Sequence, residues 1–93
     1  MNSIIQTNKE CWFCGTQREL QKHHVCFGVP GRKNSEKYGL TVWLCREHHT
    51  GNSGVHQNRE LDLELKRAAQ KKFEEERSRN EWMAVFGRNY LEE

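Results

Sequence analysis

The chain has 93 residues, of which 34% are hydrophobic and 30% charged, and its net charge at pH 7 is +2. This length allows one domain, residues 1–93, with a core too small to stabilise it well alone, while nine aromatic residues favour a globular domain over a disordered chain. The first ten residues contain no apolar run, which excludes a secretory signal or a membrane span there and favours a cytoplasmic protein.

The first element in chain order is a polar leader, residues 1–10, which we expect to be flexible. It is followed by Cys11 and Cys14, whose C-x2-C spacing is matched by Cys45 and His48 further along the chain. Residues three apart in a tight turn point at one centre, and two such pairs complete a tetrahedral zinc site. Because cytoplasmic thiols stay reduced, a structural zinc ion explains the pairs better than disulfides do.

Two short segments, residues 20–27 and 40–44, are rich in β-forming side chains and predict the strands of a hairpin. Between them, residues 28–35 are rich in turn formers, and we expect a long, mobile, basic loop. A shared zinc ion would close this hairpin with His23 and His24 near its middle. Cys26 is left over from the zinc pairs and is expected to be a small core side chain.

Three helical segments are predicted after the hairpin. One turn over residues 46–50 ends at Gly51, Asn52, Ser53 and Gly54. An amphipathic helix then follows Asn58, its N-cap, because apolar residues recur every four positions at Leu61, Leu65, Ala69 and Phe73. We expect this stripe to pack on the hairpin and Asp62 to pair with Lys66. A short final helix, residues 80–86, ends at Gly87.

All five histidines lie within 34 residues, at positions 23, 24, 48, 49 and 56, twice as adjacent pairs. This density favours metal chemistry over a purely structural role. On a helical turn His49 is rotated about 100° from His48, so one can face the zinc and the other a separate cleft. An ideal strand places His23 and His24 on opposite faces, so both can serve one site only at a strand end or sheet edge.

The positive charge is uneven along the chain. Residues 15–59 carry seven Lys or Arg against three Glu, whereas residues 60–79 carry six charges of each sign. The histidine-bearing part can therefore attract a phosphate backbone, although so small an excess is equally typical of solubilising charge. The candidate backbone contacts are Arg32, Lys33, Arg46 and Arg59.

The sequence His23-His24-Val25, the glycine-rich segment after it, and Leu44-Cys45-x2-His48-His49 resemble the HNH endonucleases, the zinc-knuckle branch of the ββα-metal nucleases. The small size is similar to phage and prophage members. The resemblance covers residues 11–57 and extends to the helix at 61–73. It implies an α+β fold, a zinc-stapled ββα-metal finger, with a leader over residues 1–10, an HNH core over 11–57, and a helical part over 58–93.

The resemblance also implies residue roles. His24 matches the general base, and His23 and His49 match ligands of a catalytic divalent ion. His56 is similar to a further ligand or a phosphate contact, with a plain surface residue as the alternative. In the family an Asn orients the base; it would fall at residues 38–40, where this chain has none, and Asn34 comes several residues too early.

The expected activity is hydrolysis of phosphodiester bonds in DNA, with little sequence preference or by nicking. The catalytic ion is Mn, Ni, Mg or Zn; we expect Mn or Ni to work better than Mg, because imidazoles suit them and no Asp occurs in residues 11–57. One alternative is a non-catalytic zinc finger that binds DNA or a protein. The other is a phage accessory protein whose C-terminal helices dock on a larger partner. The oligomeric state is open.

Overall fold

Two antiparallel strands and four helices make up the described part of the chain. The computed structural model describes residues 3–26, 31–51 and 54–91, so residues 28–30 of the expected turn and Asn52 and Ser53 lie outside the described residues. The element order is β1 (Leu20–His24), α1 (Gly31–Tyr38), β2 (Thr41–Cys45), α2 (Arg46–His49), α3 (Arg59–Glu76) and α4 (Arg79–Phe86). The expected α+β class is confirmed. No described helix is both long and apolar enough to cross a membrane.

The pairing of β1 with β2 assigns side chains to the two faces of the sheet. The register runs from Leu20 opposite Cys45 to His24 opposite Thr41. Opposite residues of an antiparallel pair point to the same face, and neighbours along a strand point to opposite faces. One face, named here the His24 face, therefore carries Lys22, His24, Thr41 and Trp43. The other, the His23 face, carries Gln21, His23, Val42 and Leu44.

The N-terminal segment, which we expected to be flexible, is hydrogen-bonded to β2 in its described part. The Ser3 hydroxyl donates to the Thr41 carbonyl, and the Ile4 amide donates to Gly39 over 2.9 Å. The Trp43 amide donates to Gln6 Oε1 over 2.7 Å. These bonds satisfy backbone groups on the β2 edge that β1 does not reach.

The connection between the strands, which we expected to be a loop, contains helix α1. Its polar residues permit a helix, and Gly39, with φ 74°, ends it in the left-handed conformation that glycine adopts most readily. The Leu40 amide then donates to the Ser35 carbonyl over 2.8 Å. Ser35 is buried, and its hydroxyl bonds both backbone groups of Cys26. The helix is thereby fixed against the end of β1.

Helices α3 and α4 close the core as the sequence predicts. The Asn58 side chain accepts bonds from the amides of the first turn of α3, and the expected Lys66–Asp62 ion pair is present. The apolar stripe of α3 is buried in one cluster with the inward residues of β2. Phe73 lies with its ring centroid 5.4 Å from that of the fully buried Trp82 in α4. Gly87 ends α4 with φ 76°.

Candidate metal centres and the His24–Glu36 hydrogen bond

Cys11, Cys14, Cys45 and His48 come together at one end of the hairpin. The first knuckle turns tightly because the Gly15 amide donates to the Cys11 carbonyl over 2.9 Å, with Gly15 at φ 75°. The Trp12 amide donates to Trp43, which fixes this turn to β2. Cys45 ends β2 and His48 lies one turn later in α2, so both pairs face one centre, as the spacing predicts.

The ligand atoms have the spacing that zinc requires. Corners of a tetrahedron with bonds of about 2.3 Å to sulfur and about 2.0 Å to nitrogen lie about 3.5 to 3.8 Å apart. The Sγ atoms of Cys14 and Cys45 are 3.8 Å apart, and His48 Nδ1 lies 3.6 Å from Cys11 Sγ and 3.2 Å from Cys45 Sγ. All four cysteines are free thiols. This Cys3His group can hold a structural metal ion.

The backbone around the knuckle favours a thiolate at Cys11. Burial by itself raises the pKa of this thiol. Hydrogen bonds from the backbones of Cys45, Cys14 and Phe13 outweigh burial and lower the pKa to about 6. At Cys45 burial dominates, and the neighbouring thiols add to it, so its pKa is raised. Cys11 thus favours the thiolate form and Cys45 the neutral thiol. A bound cation would stabilise several thiolates at once.

A second group consists of His23, His49 and His56, from β1, α2 and the loop before α3. One nitrogen from each lies within 4.8 Å of the others. The Nε2 atoms of His49 and His56 are 3.3 Å apart, and the ring centroid of His23 lies 5.2 Å from that of His49 and 5.3 Å from that of His56. All three histidines that the sequence proposed as ligands of a second ion are thus together, and His24 is not in the group.

Two glycines allow the loop after α2 to bring His56 back to His49. A Cβ on Gly54 would lie 2.6 Å from the His49 carbonyl oxygen, and one on Gly51 would lie 2.8 Å from the Glu47 carbonyl oxygen. Any larger residue would push the loop away. The Val55 amide donates to the His48 carbonyl over 2.9 Å, which closes the loop. The sequence marks these glycines only as helix breakers, but they also position a candidate ligand.

Gln21 orients His49, a role that the sequence analysis did not assign. Its Oε1 atom lies 2.5 Å from His49 Nδ1, and Gln21 shares the His23 face. An amide oxygen accepts a hydrogen bond only from Nδ1–H, so His49 Nε2 carries no proton and its lone pair can serve a metal ion. Burial, then the charges of His49 and His56, lower the pKa of His23 to about 3. Burial also lowers the pKa of His49. Both rings are therefore neutral at pH 7, as metal ligation requires.

His24 lies on the other face of β1, where it bonds to α1. Its Nε2 atom is 2.8 Å from Glu36 Oε2, and Lys22 Nζ is 2.9 Å from Glu36 Oε1. Bonds from Lys22 and His24 lower the pKa of Glu36, so the carboxylate is charged at neutral pH. An imidazole that donates from Nε2 presents Nδ1 as its acceptor. The Asn34 side chain instead donates to the Val85 carbonyl over 3.4 Å. Among these residues it is Glu36, not Asn34, that holds His24.

The four basic residues proposed as backbone contacts are all exposed, but their surroundings differ. Arg32 and Lys33 precede Glu36 by four and three residues in α1, which places them one turn away on the same side of the helix. Arg46 lines a shallow groove with Glu19 and Glu47, which offset its charge. Arg59 begins α3, three residues after His56.

Comparisons with protein-family models, curated proteins and solved structures found no match to this chain. The geometry itself presents three kinds of chemistry around one strand. It offers a Cys3His group at one end of the hairpin, a three-histidine group on one face of β1, and a carboxylate-held imidazole on the other face. The first can hold the fold together; the other two can act on a ligand.

Proposed function

We propose that this protein is a metal-dependent endonuclease of the HNH type, with a ββα-metal site, that hydrolyses phosphodiester bonds in DNA. The observation that carries the proposal is the arrangement of two neighbours at the end of β1. His23 belongs to the three-histidine group, while His24 is held by Glu36. A group able to hold a divalent ion and an oriented general base are the two components that such hydrolysis requires.

His24 is the proposed general base. Its Nε2–H donates to Glu36, which leaves the Nδ1 lone pair to take a proton from the attacking water. The charged carboxylate stabilises the imidazolium that this transfer creates, in the way that a buried Asp serves the histidine of a hydrolase triad. The side chain of His24 is 18% exposed, so water can reach it while the ring stays fixed.

His23, His49 and His56 would hold the catalytic divalent ion, which polarises the phosphate and stabilises the departing 3′ oxygen when bound. The neutral rings of His23 and His49 offer lone pairs at pH 7 without the loss of a proton. Gln21 keeps His49 in the tautomer that ligates through Nε2. A site made only of imidazoles favours Mn, Ni, Co or Zn over Mg.

The separation of His24 from the three-histidine group is compatible with this chemistry. In an in-line displacement the attacking and leaving oxygens lie on opposite sides of phosphorus. Adjacent residues of a strand point to opposite faces, so a phosphate seated across the end of β1 would have His24 on one side and His23 on the other. Arg32 and Lys33, one turn from Glu36, can attract the adjoining backbone phosphates without reading sequence.

The cellular compartment that we propose follows from the thiol ligands. Thiol ligands require a reducing compartment, which favours an intracellular, cytoplasmic protein, nucleoid-associated or phage-encoded. The C-terminal helices and the residues after them can offer a docking surface for a protein partner, because Met83 in α4 and Leu91 beyond it are exposed apolar residues.

A plasmid-nicking assay tests the enzyme. Wild type, His24→Ala and a control, Lys71→Ala on the exposed face of α3, are assayed with Mn, Ni, Mg and Zn. We expect His24→Ala to lose about a hundredfold or more of the nicking rate, the usual contribution of a general base, while Lys71→Ala keeps it. Zinc content must stay equal in all three proteins. A His24→Ala protein that nicks as fast as wild type would remove the proposed base.

The second candidate function is a non-catalytic zinc module that binds DNA or a protein. It is favoured by one observation: the His24 ring is bonded to Glu36 on the face opposite the three-histidine group. In that case Glu36 and His24 serve only to attach α1 to β1. Wild type that binds DNA but cleaves none with any of the four ions would support this module.

A further inference from the structure

A groove of about 580 Å3 separates the N-terminal segment from the His24 face of the sheet. It is lined by Ser3, Gln6 and Thr7 of the N-terminal segment and by sheet residues Lys22, Thr41, Val42 and Trp43. This volume lies within the range of about 300 to 1,000 Å3 found for ligand sites. Thr41 is the cross-strand partner of His24, so the groove ends beside the proposed base.

Trp43 is the aromatic side chain in the wall of this groove. Of the five residues of β2 it alone is not fully buried. Lys9 Nζ lies 4.6 Å from the centroid of its ring, and Lys22 is its partner across the sheet. A partly exposed indole with an ammonium group beside it matches the platforms on which single-stranded nucleic acids bind, where bases stack on aromatic rings and phosphates meet lysines.

The backbone around the groove argues against a peptide as its occupant. A peptide added as a further strand would need free amides and carbonyls along the β2 edge. Here the Trp43 amide is bonded to Gln6 and the Trp43 carbonyl accepts from Trp12, while the Ser3 hydroxyl bonds the Thr41 carbonyl. The N-terminal segment already covers that edge, so recognition at the groove depends on side chains.

The indole of Trp43 indicates whether the groove binds single-stranded or duplex nucleic acid. In a duplex both faces of each base are stacked on neighbours, whereas an unpaired base can leave the strand and stack on an aromatic ring. The contact with Lys9 does not prevent this, because an exposed cation–π contact is weak and the lysine can move to a phosphate.

We propose that this groove is a binding subsite for single-stranded DNA. One base stacks on Trp43, the adjoining phosphate contacts Lys9, and the strand continues along the His24 face to His24. The subsite deepens the proposed nuclease function, on which its direction towards His24 rests, and it names an unpaired segment as the substrate.

Fluorescence anisotropy with a labelled twelve-residue thymidine oligonucleotide and a duplex of equal length, without added divalent ions, tests the subsite. We expect Trp43→Leu to weaken binding of the single strand about tenfold, and Trp43→Phe to keep most of the affinity. Lys9→Gln should reduce the salt dependence by about 0.7 in the log–log slope, while the control Lys71→Gln leaves it unchanged. Single-strand affinity of Trp43→Leu within twofold of wild type, or tighter binding of the duplex by wild type, would overturn the subsite.

A second measurement covers the case in which Trp43→Leu fails to fold. Wild type is labelled with 5-fluorotryptophan, and its Trp43 signal is identified from Trp43→Phe. The oligonucleotide should shift the Trp43 signal and leave that of the buried Trp82 in place; an unmoved Trp43 signal contradicts the proposal. If wild type cleaves DNA but the Trp43 signal does not move, only the subsite proposal is wrong. If binding depends on Trp43 but wild type cleaves DNA with none of the four ions, the nuclease proposal is wrong and the subsite proposal stands.

Discussion

The Nε2 atom of His24 lies 2.8 Å from Glu36 Oε2, which joins the last residue of β1 to the middle of α1. In the HNH endonucleases that the sequence resembles, an Asn orients the base; here Glu36 makes the bond to His24, although it comes from a helix that the sequence did not predict. The bond fixes which imidazole nitrogen carries the proton. Glu36 is therefore a positioning residue in the proposed reaction.

Replacement of Glu36 by Ala should lower kcat for DNA cleavage about 10- to 100-fold with little change in KM, because the base loses its orientation. Glu36→Gln should recover most of the rate, since an amide oxygen still accepts the bond from His24. The matched control is Glu75→Ala, which removes another exposed carboxylate that pairs with a lysine. Steady-state cleavage rates of these variants at a fixed Mn concentration test the prediction. Equal kcat for Glu36→Ala and Glu75→Ala would mean that Glu36 serves only the fold.

The metal-ligand groups were predictable because their signal is local. Cys11, Cys14, Cys45 and His48 are recognised by a spacing that a tight turn converts directly into geometry. The density of histidines favoured metal chemistry, and the resemblance to HNH endonucleases then singled out His23, His49 and His56. The cap at Asn58 and the period of α3 are local signals too, and both are confirmed.

Long-range contacts between polar residues were not predictable. Glu36 lies 12 residues from His24, and Gln21 lies 28 residues from His49, so no spacing rule connects them. Helix α1 was missed because the turn formers continue into it at Gly31, Asn34 and Ser35, whereas Gly39 is its end signal. The N-terminal segment was expected to be flexible because it is polar, but its polar groups are the ones that bond the β2 edge.

Removal of one knuckle ligand should unfold the hairpin half of the protein. In Cys45→Ser the zinc content should fall well below one ion per chain, because metal-binding energy is folding energy in a domain this small. Circular dichroism and thermal melting, with metal analysis, measure the change. Cys26→Ala is the control, since Cys26 is buried outside the knuckle and its loss should keep the zinc. Unchanged melting of Cys45→Ser would show that these four residues do not hold a structural ion.

The three-histidine group should bind a second, exchangeable ion. We expect His49→Ala or His56→Ala to weaken Mn or Ni binding at least tenfold by calorimetry while the structural zinc remains. Gln21→Ala should weaken it about 10- to 100-fold, because the tautomer of His49 is no longer fixed.

The same group predicts a preference among metals. Wild type should cleave faster with Mn or Ni than with Mg at equal concentration, because imidazole ligands suit those ions better. Cleavage rates measured side by side with each ion test this. Equal or faster cleavage with Mg would argue against a catalytic site built from histidines alone.

Cys26 should make the protein less stable at alkaline pH. Burial, opposed by the charge of Lys66, raises the pKa of its thiol from 9.0 to about 12. Between these values the unfolded chain releases the proton while the folded protein keeps it, so the free energy of unfolding falls as pH rises, by at most about 1.4 kcal/mol per pH unit. Urea denaturation of wild type and Cys26→Ala at pH 8, 9 and 10 isolates this effect, because all other groups are shared. The wild type should lose about 1 kcal/mol relative to the variant between pH 8 and pH 10. A difference between the two proteins that stays constant over this range would mean that the folded thiol ionises as readily as the unfolded one.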